Sequence, residues 1–199
     1  MIVNDGIIWH NTTISKGDRK KLNGFKSCVL WITGLSAAGK STLANALEYE
    51  LYEMGVRTYL LDGDNIRMGL NSDLGFMESD RRENIRRTAE VAKLFVDAGI
   101  IVIVAIISPY FKDRSMARQI FEAGEFIEIY LKCPLAVCEK RDPKGLYKKA
   151  RDGKILNFTG VSAPYEEPEN PELLIETNKC NVEDGVRSII QYLIKNKIL

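Results

Sequence analysis

The sequence predicts an α/β fold in which a central parallel sheet of about five strands carries helices on both faces, giving three layers. Apolar runs alternate with helix-like stretches along the chain, and this alternation is typical of parallel sheets whose crossovers are helices. The runs are residues 27–32, 58–61, 100–107, 126–131 and 173–175. Because the third run is apolar at every position, we expect it to be a central strand in the middle of the core, covered on both faces.

The helices between these strands are bounded by residues that end or cap helices. A helix over 42–54 is expected to end at Gly55, and a second over about 80–98 at Gly99, because glycine readily adopts the left-handed conformation that terminates helices. The second helix has apolar residues at helical spacing, with its charged residues toward water. A last helix follows Asn181 and carries an apolar stripe. The members of that stripe are Val186, Ile189, Ile190, Leu193 and Ile194.

Two segments fit neither pattern. Residues 1–22 are polar and are expected to form an arm on the surface, whereas residues 142–171 are rich in proline, glycine and charge and lack apolar periodicity. Long irregular segments of compact domains are commonly lids or binding loops. We therefore predict a single domain over 1–199, with an N-terminal arm at 1–22 and a lid with binding loops at about 142–171.

Composition excludes several classes of protein. The 28 basic and 27 acidic residues give a formal net charge of +1, so no general field favours nucleic acid. The longest apolar run, 100–107, is too short to cross a bilayer, and the N-terminus lacks the pattern of a signal peptide. Four scattered cysteines and a single histidine, His10, do not form a zinc motif. We expect a cytoplasmic protein with reduced cysteines that binds neither nucleic acid nor membrane.

A phosphate-binding loop, or P-loop, is the most informative motif of the chain. It follows the first predicted strand and opens the first predicted helix, a context that favours a functional loop over a chance match. Its glycines let the backbone curl so that successive N–H groups point at phosphate oxygens. Lys40 then reaches the terminal phosphates, and Ser41 offers its hydroxyl to a Mg²⁺ ion that bridges them. The residues predicted to bind the nucleoside triphosphate are Gly34, Leu35, Ser36, Ala37, Ala38, Gly39, Lys40, Ser41 and Thr42.

Two carboxylates follow the second predicted strand, at the edge of the sheet where open parallel folds bind ligands. Asp62 and Asp64 are separated by Gly63, so one can organise the hydration shell of Mg²⁺ while the other accepts a hydroxyl proton during phosphoryl transfer. We predict that Asp64 is the base and that Asp62, directly or through water, joins Ser41 at the metal. The same residues are also typical of an aspartate turn that caps the next helix.

The arginine-rich segment that follows indicates an anionic acceptor. Arg81 and Asn84 are three residues apart, so the start of a helix could present both to a ligand. Most of the neighbouring charges also fit an exposed helix face with ordinary ion pairs. Phe76, isolated in a polar loop, either stacks on a base or anchors its loop to the core.

Ser108 follows the third predicted strand at the same edge. It can donate a hydrogen bond or accept a phosphoryl group covalently, and the absence of a neighbouring histidine in the sequence favours positioning. Further on, the basic segment 141–151 contains Gly145 as a joint and suits a lid that closes over phosphates. An exposed charged helix would have the same pattern.

These motifs together resemble the adenylylsulfate kinase family, whose members are ATP-dependent P-loop kinases. The resemblance covers nearly the whole chain and rests on the P-loop with segments 62–67, 70–76, 80–87, 90–95, 107–110, 141–150, 157–160 and 165–166. It implies a P-loop NTPase-type fold and a homodimer. It also implies transfer of the γ-phosphoryl group of ATP to the 3′-hydroxyl of adenylylsulfate, with Mg²⁺, giving 3′-phosphoadenylylsulfate and ADP for sulfate assimilation.

The resemblance also implies roles for individual residues. Phe76 and Phe158 would sandwich the adenine of the acceptor, Cys180 would border the adenine of ATP, and Ser108 would be a candidate phosphoserine intermediate beside the catalytic Lys40. The implied adenylylsulfate pocket consists of Asp64, Asn65, Arg67, Phe76, Arg81, Asn84, Ile107, Ser108, Lys144, Asn157 and Phe158.

The chain also departs from the family pattern. Alanines at positions 37 and 38 stand where glycine and serine are usual, which puts nucleotide affinity in question because a strained backbone is harder to hold without glycine. Two other functions compete with the one implied. These are another small-molecule kinase on the same scaffold, which the acceptor loops argue against, and a noncatalytic ATP-binding switch, which Asp64 and the lid argue against.

Overall fold

Five parallel strands form one sheet, in the order β2-β3-β1-β4-β5, in the computed structural model, which describes residue 8 and residues 10–199. The strands are β1 (Val29–Thr33), β2 (Thr58–Asp62), β3 (Ile101–Ala105), β4 (Phe126–Lys132) and β5 (Leu173–Glu176). Each begins and ends within two residues of a predicted run. The predicted α/β fold is therefore confirmed.

The third apolar run forms β3, a central strand covered on both faces, as expected. β3 is buried along its whole length and lies inside the sheet, between β2 and β1. The middle strand is β1, which is equally buried and pairs with β3 on one side and β4 on the other. A run of apolar residues indicates that both faces of a strand are covered by helices. It does not indicate the position of the strand in the order across the sheet.

Eight helices accompany the sheet within the described residues. They are α1 (Lys16–Asn23), α2 (Lys40–Glu53), α3 (Gly63–Met68), α4 (Glu78–Asp97), α5 (Phe111–Gln119), α6 (Leu135–Arg141), α7 (Leu146–Arg151) and α8 (Val182–Lys195). The predicted ends of α2 and α4 are confirmed, since Gly55 and Gly99 both have positive φ. Asn181 caps α8 by accepting a hydrogen bond from the Asp184 backbone N–H at 2.8 Å. Of the predicted stripe, Ile194 is exposed, whereas Leu193 beside it is fully buried.

The sheet separates two apolar cores. Leu30 and Ile32 of β1 face the core formed with α2 and α8, whereas Val29 and Trp31 face the core formed with α4 and α5. The three buried cysteines, Cys28, Cys133 and Cys138, belong to the first core, and all four cysteines are free thiols. Successive residues of β1 thus face the two cores in turn, which is the period of two expected for a strand covered on both faces.

The two irregular segments contain helical parts. Of the predicted arm, residues 1–7 and 9 lie outside the described residues. The rest of the arm includes α1, which contacts the end of α4 through a hydrogen bond from the Arg19 guanidinium to the Asp97 carboxylate at 3.1 Å. Of the predicted lid, 146–151 forms α7, with Tyr147 and Ala150 buried. None of the helices in the described ranges is long and apolar enough to cross a membrane.

Candidate active site

The P-loop connects β1 to α2 and curls around the Lys40 side chain. The φ of Gly34 is 150°, and a Cβ at that position would lie 2.7 Å from the Leu131 carbonyl oxygen, so the turn requires glycine. The Lys40 ammonium is buried and donates hydrogen bonds to the carbonyl oxygens of Gly34 at 2.9 Å and Leu35 at 2.7 Å. Burial lowers the pKa of Lys40 to about 8. The loop thus holds a partly desolvated cation beside the N-terminus of a helix.

Ala37 adopts a left-handed backbone conformation, with φ at 58°. For an L-residue other than glycine this conformation costs about 1 kcal/mol. The departure noted in the sequence therefore falls on a strained position, whereas the neighbouring Ala38 is fully buried and has no positive φ.

The carboxylate pair after β2 serves as a helix cap and also contacts the P-loop. One oxygen of Asp62 accepts the Asp64 backbone N–H at 2.9 Å and caps α3, while the other accepts the Ser41 hydroxyl at 2.6 Å. Asp64 is exposed and forms an ion pair with Lys144 from the segment before α7. The interpretation of the pair as a helix cap is therefore confirmed for Asp62, whereas the base and metal roles stay predictions.

The paired oxygens of Ser41 and Asp62 suit Mg²⁺. Hard oxygen ligands in small number, completed by water and phosphate, are how proteins commonly hold this ion beside a nucleotide. No group of three or more histidine, cysteine, aspartate or glutamate residues that could hold a metal by itself occurs in the part of the chain that the structure describes. The donor set therefore fits an ion that arrives with a triphosphate.

A single cavity of about 1360 Å³ at the carboxyl edge of the sheet joins the predicted regions. Predicted nucleotide residues that line it are Ser36, Ala37, Ala38, Gly39, Lys40, Ser41, Thr42 and Cys180. Predicted acceptor residues that line it are Asp64, Arg67, Phe76, Arg81, Asn84, Ile107, Ser108, Lys144 and Phe158, together with the metal candidate Asp62. Four predicted residues do not line it: Gly34, Leu35, Asn65 and Asn157.

Arg81 connects the two loops that carry the predicted aromatic sandwich. Its guanidinium donates to the Phe76 carbonyl at 2.9 Å, the Asn157 carbonyl at 2.8 Å and the Thr159 hydroxyl at 3.1 Å. Phe76 is mostly exposed, whereas Phe158 is buried and packs edge-on against Tyr147. The guanidinium of Arg67 lies 4.5 Å from the centre of the Phe76 ring, so a cation accompanies this aromatic surface. Arg81 therefore holds the two loops at a fixed separation.

Ser108 is buried in a network of hydroxyl groups. Its hydroxyl accepts the Trp31 indole N–H at 3.1 Å and donates to the Thr33 hydroxyl at 3.0 Å. Thr33 in turn bonds the Ile107 carbonyl at 2.6 Å and the Tyr165 hydroxyl at 2.9 Å. The Ser108 backbone is left-handed, with φ at 39°, so these bonds hold a strained residue in place.

Two parts of the site are absent from the sequence prediction. The first consists of Thr177, Asn181 and Val182, which line the cavity beside Cys180. Arg141, the first residue of the predicted basic lid segment, lines the cavity too, and its guanidinium donates to the Thr177 carbonyl at 2.6 Å. Thr177 follows β5 at the edge of the sheet where open parallel folds bind ligands, so the argument used for the residues after β2 and β3 would have predicted it.

The second missed part is the buried Arg114 of α5. Its guanidinium donates to the Ser108 carbonyl at 2.8 Å and to the Glu128 carboxylate at 2.8 Å. Because these contacts join α5 to β4 and to the loop after β3, they form only in the folded protein, and no local pattern indicates them.

A parallel sheet with a P-loop, a carboxylate pair and a second cavity end lined by arginines and aromatic rings defines a P-loop kinase that phosphorylates a small molecule. Comparison with known proteins narrows this class. The sequence model of the family described as adenylylsulphate kinase matches residues 26–176, and the chain belongs to this family.

Individual relatives agree with the family match. The chain is 62% identical over 187 residues to a probable adenylyl-sulfate kinase of Halalkalibacterium halodurans, covering 94% of this chain and 93% of the relative. It is 58% identical over 199 residues to a probable adenylyl-sulfate kinase of Bacillus subtilis, covering 100% of both. The solved APS kinase CysC of Mycobacterium tuberculosis, in complex with AMPPNP and APS, superposes with a TM-score of 0.82 at 45% identity, covering 84% of this chain and 98% of that one.

Proposed function

We propose that this chain transfers the γ-phosphoryl group of ATP to the 3′-hydroxyl of adenylylsulfate. The observation that carries the proposal is the single cavity whose lining includes the P-loop, Asp64 and the predicted acceptor residues Arg67, Phe76 and Asn84. Family membership supplies the substrate class. In-line transfer requires both ligands side by side, and a cavity lined by both sets of residues can hold them so.

The nucleotide end provides positive charge for the triphosphate. The P-loop N–H groups cradle the phosphates, and Lys40 exchanges its two carbonyl partners for phosphate oxygens. Ser41 and Asp62 would hold Mg²⁺, which neutralises charge on the β- and γ-phosphates when bound. The Arg141 and Cys180 side of the cavity would receive the adenine of ATP.

The acceptor end orients the ribose hydroxyl toward Asp64. Asp64 is paired with Lys144 in the free protein, and in the proposed reaction its carboxylate accepts the hydroxyl proton. Tyr147 of α7 donates a hydrogen bond to the Ser36 carbonyl at 3.0 Å, so the proposed lid touches the P-loop directly. A lid in this position would exclude water from the transfer.

Ser108 is proposed to position the loop after β3 and not to carry phosphate. Its hydroxyl already bonds Trp31 and Thr33, and only 3% of the residue is accessible. A nucleophile needs an activating base and an open approach. Incubation with γ-labelled ATP in the absence of acceptor is expected to leave the protein unlabelled, and stoichiometric label on Ser108 would contradict this role.

The proposed reaction is tested by ADP release with Mg²⁺ and ATP, comparing adenylylsulfate with AMP, gluconate and shikimate. Turnover confined to adenylylsulfate supports the proposal, and AMP is the matched control because it lacks only the sulfate. Turnover with gluconate or shikimate would indicate another small-molecule kinase. ATP binding without turnover on any acceptor would indicate a noncatalytic switch.

Cytoplasmic location and homodimer formation stay predictions. Light scattering during size-exclusion chromatography tests the second, because the chain mass is 22.5 kDa and a homodimer has twice that mass.

A further inference from the structure

Asn71 is a fully buried polar residue that lies outside the cavity. It follows α3 in a turn, where its backbone N–H donates to the Ile66 carbonyl at 2.9 Å and its carbonyl accepts the Leu74 N–H at 3.1 Å. Its side-chain Nδ2 donates to the Oδ1 of Asn84 at 3.0 Å. Asn84 is on α4 and lines the cavity. A residue behind the cavity wall therefore bonds a residue in the wall.

The Asn71 side chain is only half satisfied. Its Oδ1 is buried and has no hydrogen-bond partner within the described residues. A buried acceptor without a partner costs stability, and an apolar side chain of similar size would avoid that cost. The contribution of the amide therefore lies in its donor, which reaches Asn84.

The bond from Asn71 determines which way the Asn84 amide faces. With Oδ1 of Asn84 occupied, its Nδ2 is directed away from Asn71. Among the described residues the Nδ2 of Asn84 has no hydrogen-bond acceptor, yet it is not one of the buried atoms that lack a partner. Because Asn84 lines the cavity, this Nδ2 opens into the cavity. An amide rotated by half a turn would present an oxygen there instead, and an oxygen repels anionic or lone-pair atoms of a ligand.

We propose that Asn71 is a positioning residue for the acceptor, because it fixes the Asn84 amide so that its NH₂ group meets a hydrogen-bond acceptor atom of the bound nucleotide sulfate. This inference rests on the proposed function and adds a residue to it. Asn71 touches neither ligand. Its effect therefore passes through Asn84 and falls on the acceptor, while the nucleotide end of the cavity is unaffected.

A double-mutant cycle tests the inference with Asn71→Leu, Asn84→Ala and the combined variant. The KM for adenylylsulfate is expected to rise about ten-fold in each single variant, because each loses one oriented hydrogen bond to the ligand. The double variant is expected to match Asn84→Ala alone, since Asn71 has no route to the ligand once the Asn84 amide is gone. The KM for ATP should stay within about two-fold throughout.

Several results would overturn the inference. These are a multiplicative effect in the double variant, an equal rise in both KM values, or an unchanged KM in Asn71→Leu. Ser72→Ala, a neighbouring exposed position, is the control that should change nothing. If Asn71→Leu does not fold, Asn71→Ser takes its place in the cycle, because serine suits a turn and is too short to reach Asn84. Wild-type turnover is measured first. An inactive wild type would refute the proposed function, whereas an active wild type with any of the three results above would refute only the role of Asn71.

Discussion

Replacing Arg81 separates acceptor binding from nucleotide binding. The side chain bonds the loop before α4 through the Phe76 carbonyl and the loop after α7 through Asn157 and Thr159. Arg81→Ala removes all three bonds, whereas Arg81→Lys keeps the charge but loses the planar fork that reaches both loops. Each loop carries one aromatic ring of the proposed adenine sandwich, so the separation of the rings depends on this residue.

The magnitude follows from the number of bonds lost. Hydrogen bonds from a charged donor contribute about 1.5 kcal/mol or more each, and water replaces part of that contribution at the exposed edge. For Arg81→Ala we expect a loss of about 2 to 3 kcal/mol in acceptor binding, or roughly 30- to 150-fold in KM for adenylylsulfate. For Arg81→Lys we expect about ten-fold, because a single ammonium can still bond one loop.

The assay measures initial rates of ADP release while each substrate is varied in turn. The KM for ATP should stay within about two-fold in both variants, since Arg81 touches no P-loop residue. Arg86→Ala is the matched control on the same helix, because its exposed pair with Glu83 contributes less than about 1 kcal/mol. Equal losses for both substrates, or a variant indistinguishable from wild type, would refute the assignment.

Three further predictions concern the proposed base, the pKa of Lys40 and the strained backbone of the P-loop. Asp64→Asn should retain ATP binding, measured by calorimetry, and lose about 10²- to 10⁴-fold in turnover as expected for removal of a general base; near-normal turnover would reject Asp64 as the base. The pKa of Lys40 is lowered to about 8, and the triphosphate binds the protonated form, so the KM for ATP should rise as pH increases through 8. Lys40→Met should flatten that rise, and an identical pH profile in this variant would assign the titration elsewhere. Ala37→Gly should increase the free energy of unfolding by about 1 kcal/mol, measured by denaturant titration, because glycine relieves the left-handed strain that Ala38→Gly cannot relieve.

The sequence predicts the elements of this fold better than their arrangement. Strand positions follow from apolar runs, and the ends of α2 and α4 follow from Gly55 and Gly99. The order of strands does not, because β1 and β3 are both mostly apolar and are buried along their whole lengths. Lateral order depends on crossover geometry, which no local pattern contains.

The sequence likewise predicts some residues of the candidate site and not others. Local motifs indicate the residues that chemistry requires at fixed spacing, such as Lys40 and Asp64. They do not indicate partners that meet only through folding, such as Thr33 with Tyr165, or Asn71 with Asn84. The sequence predicts Arg81 as a ligand residue, and the structure adds that it has three protein oxygens as partners.

The most direct test of the central claim is to identify the product formed from ATP, Mg²⁺ and adenylylsulfate by mass spectrometry and phosphorus NMR. The account predicts one added phosphoryl group as a monoester on the ribose 3′-oxygen, formed in equal amount with ADP. ADP formed without a phosphorylated nucleotide sulfate, or a phosphoryl group on any other oxygen, would contradict it.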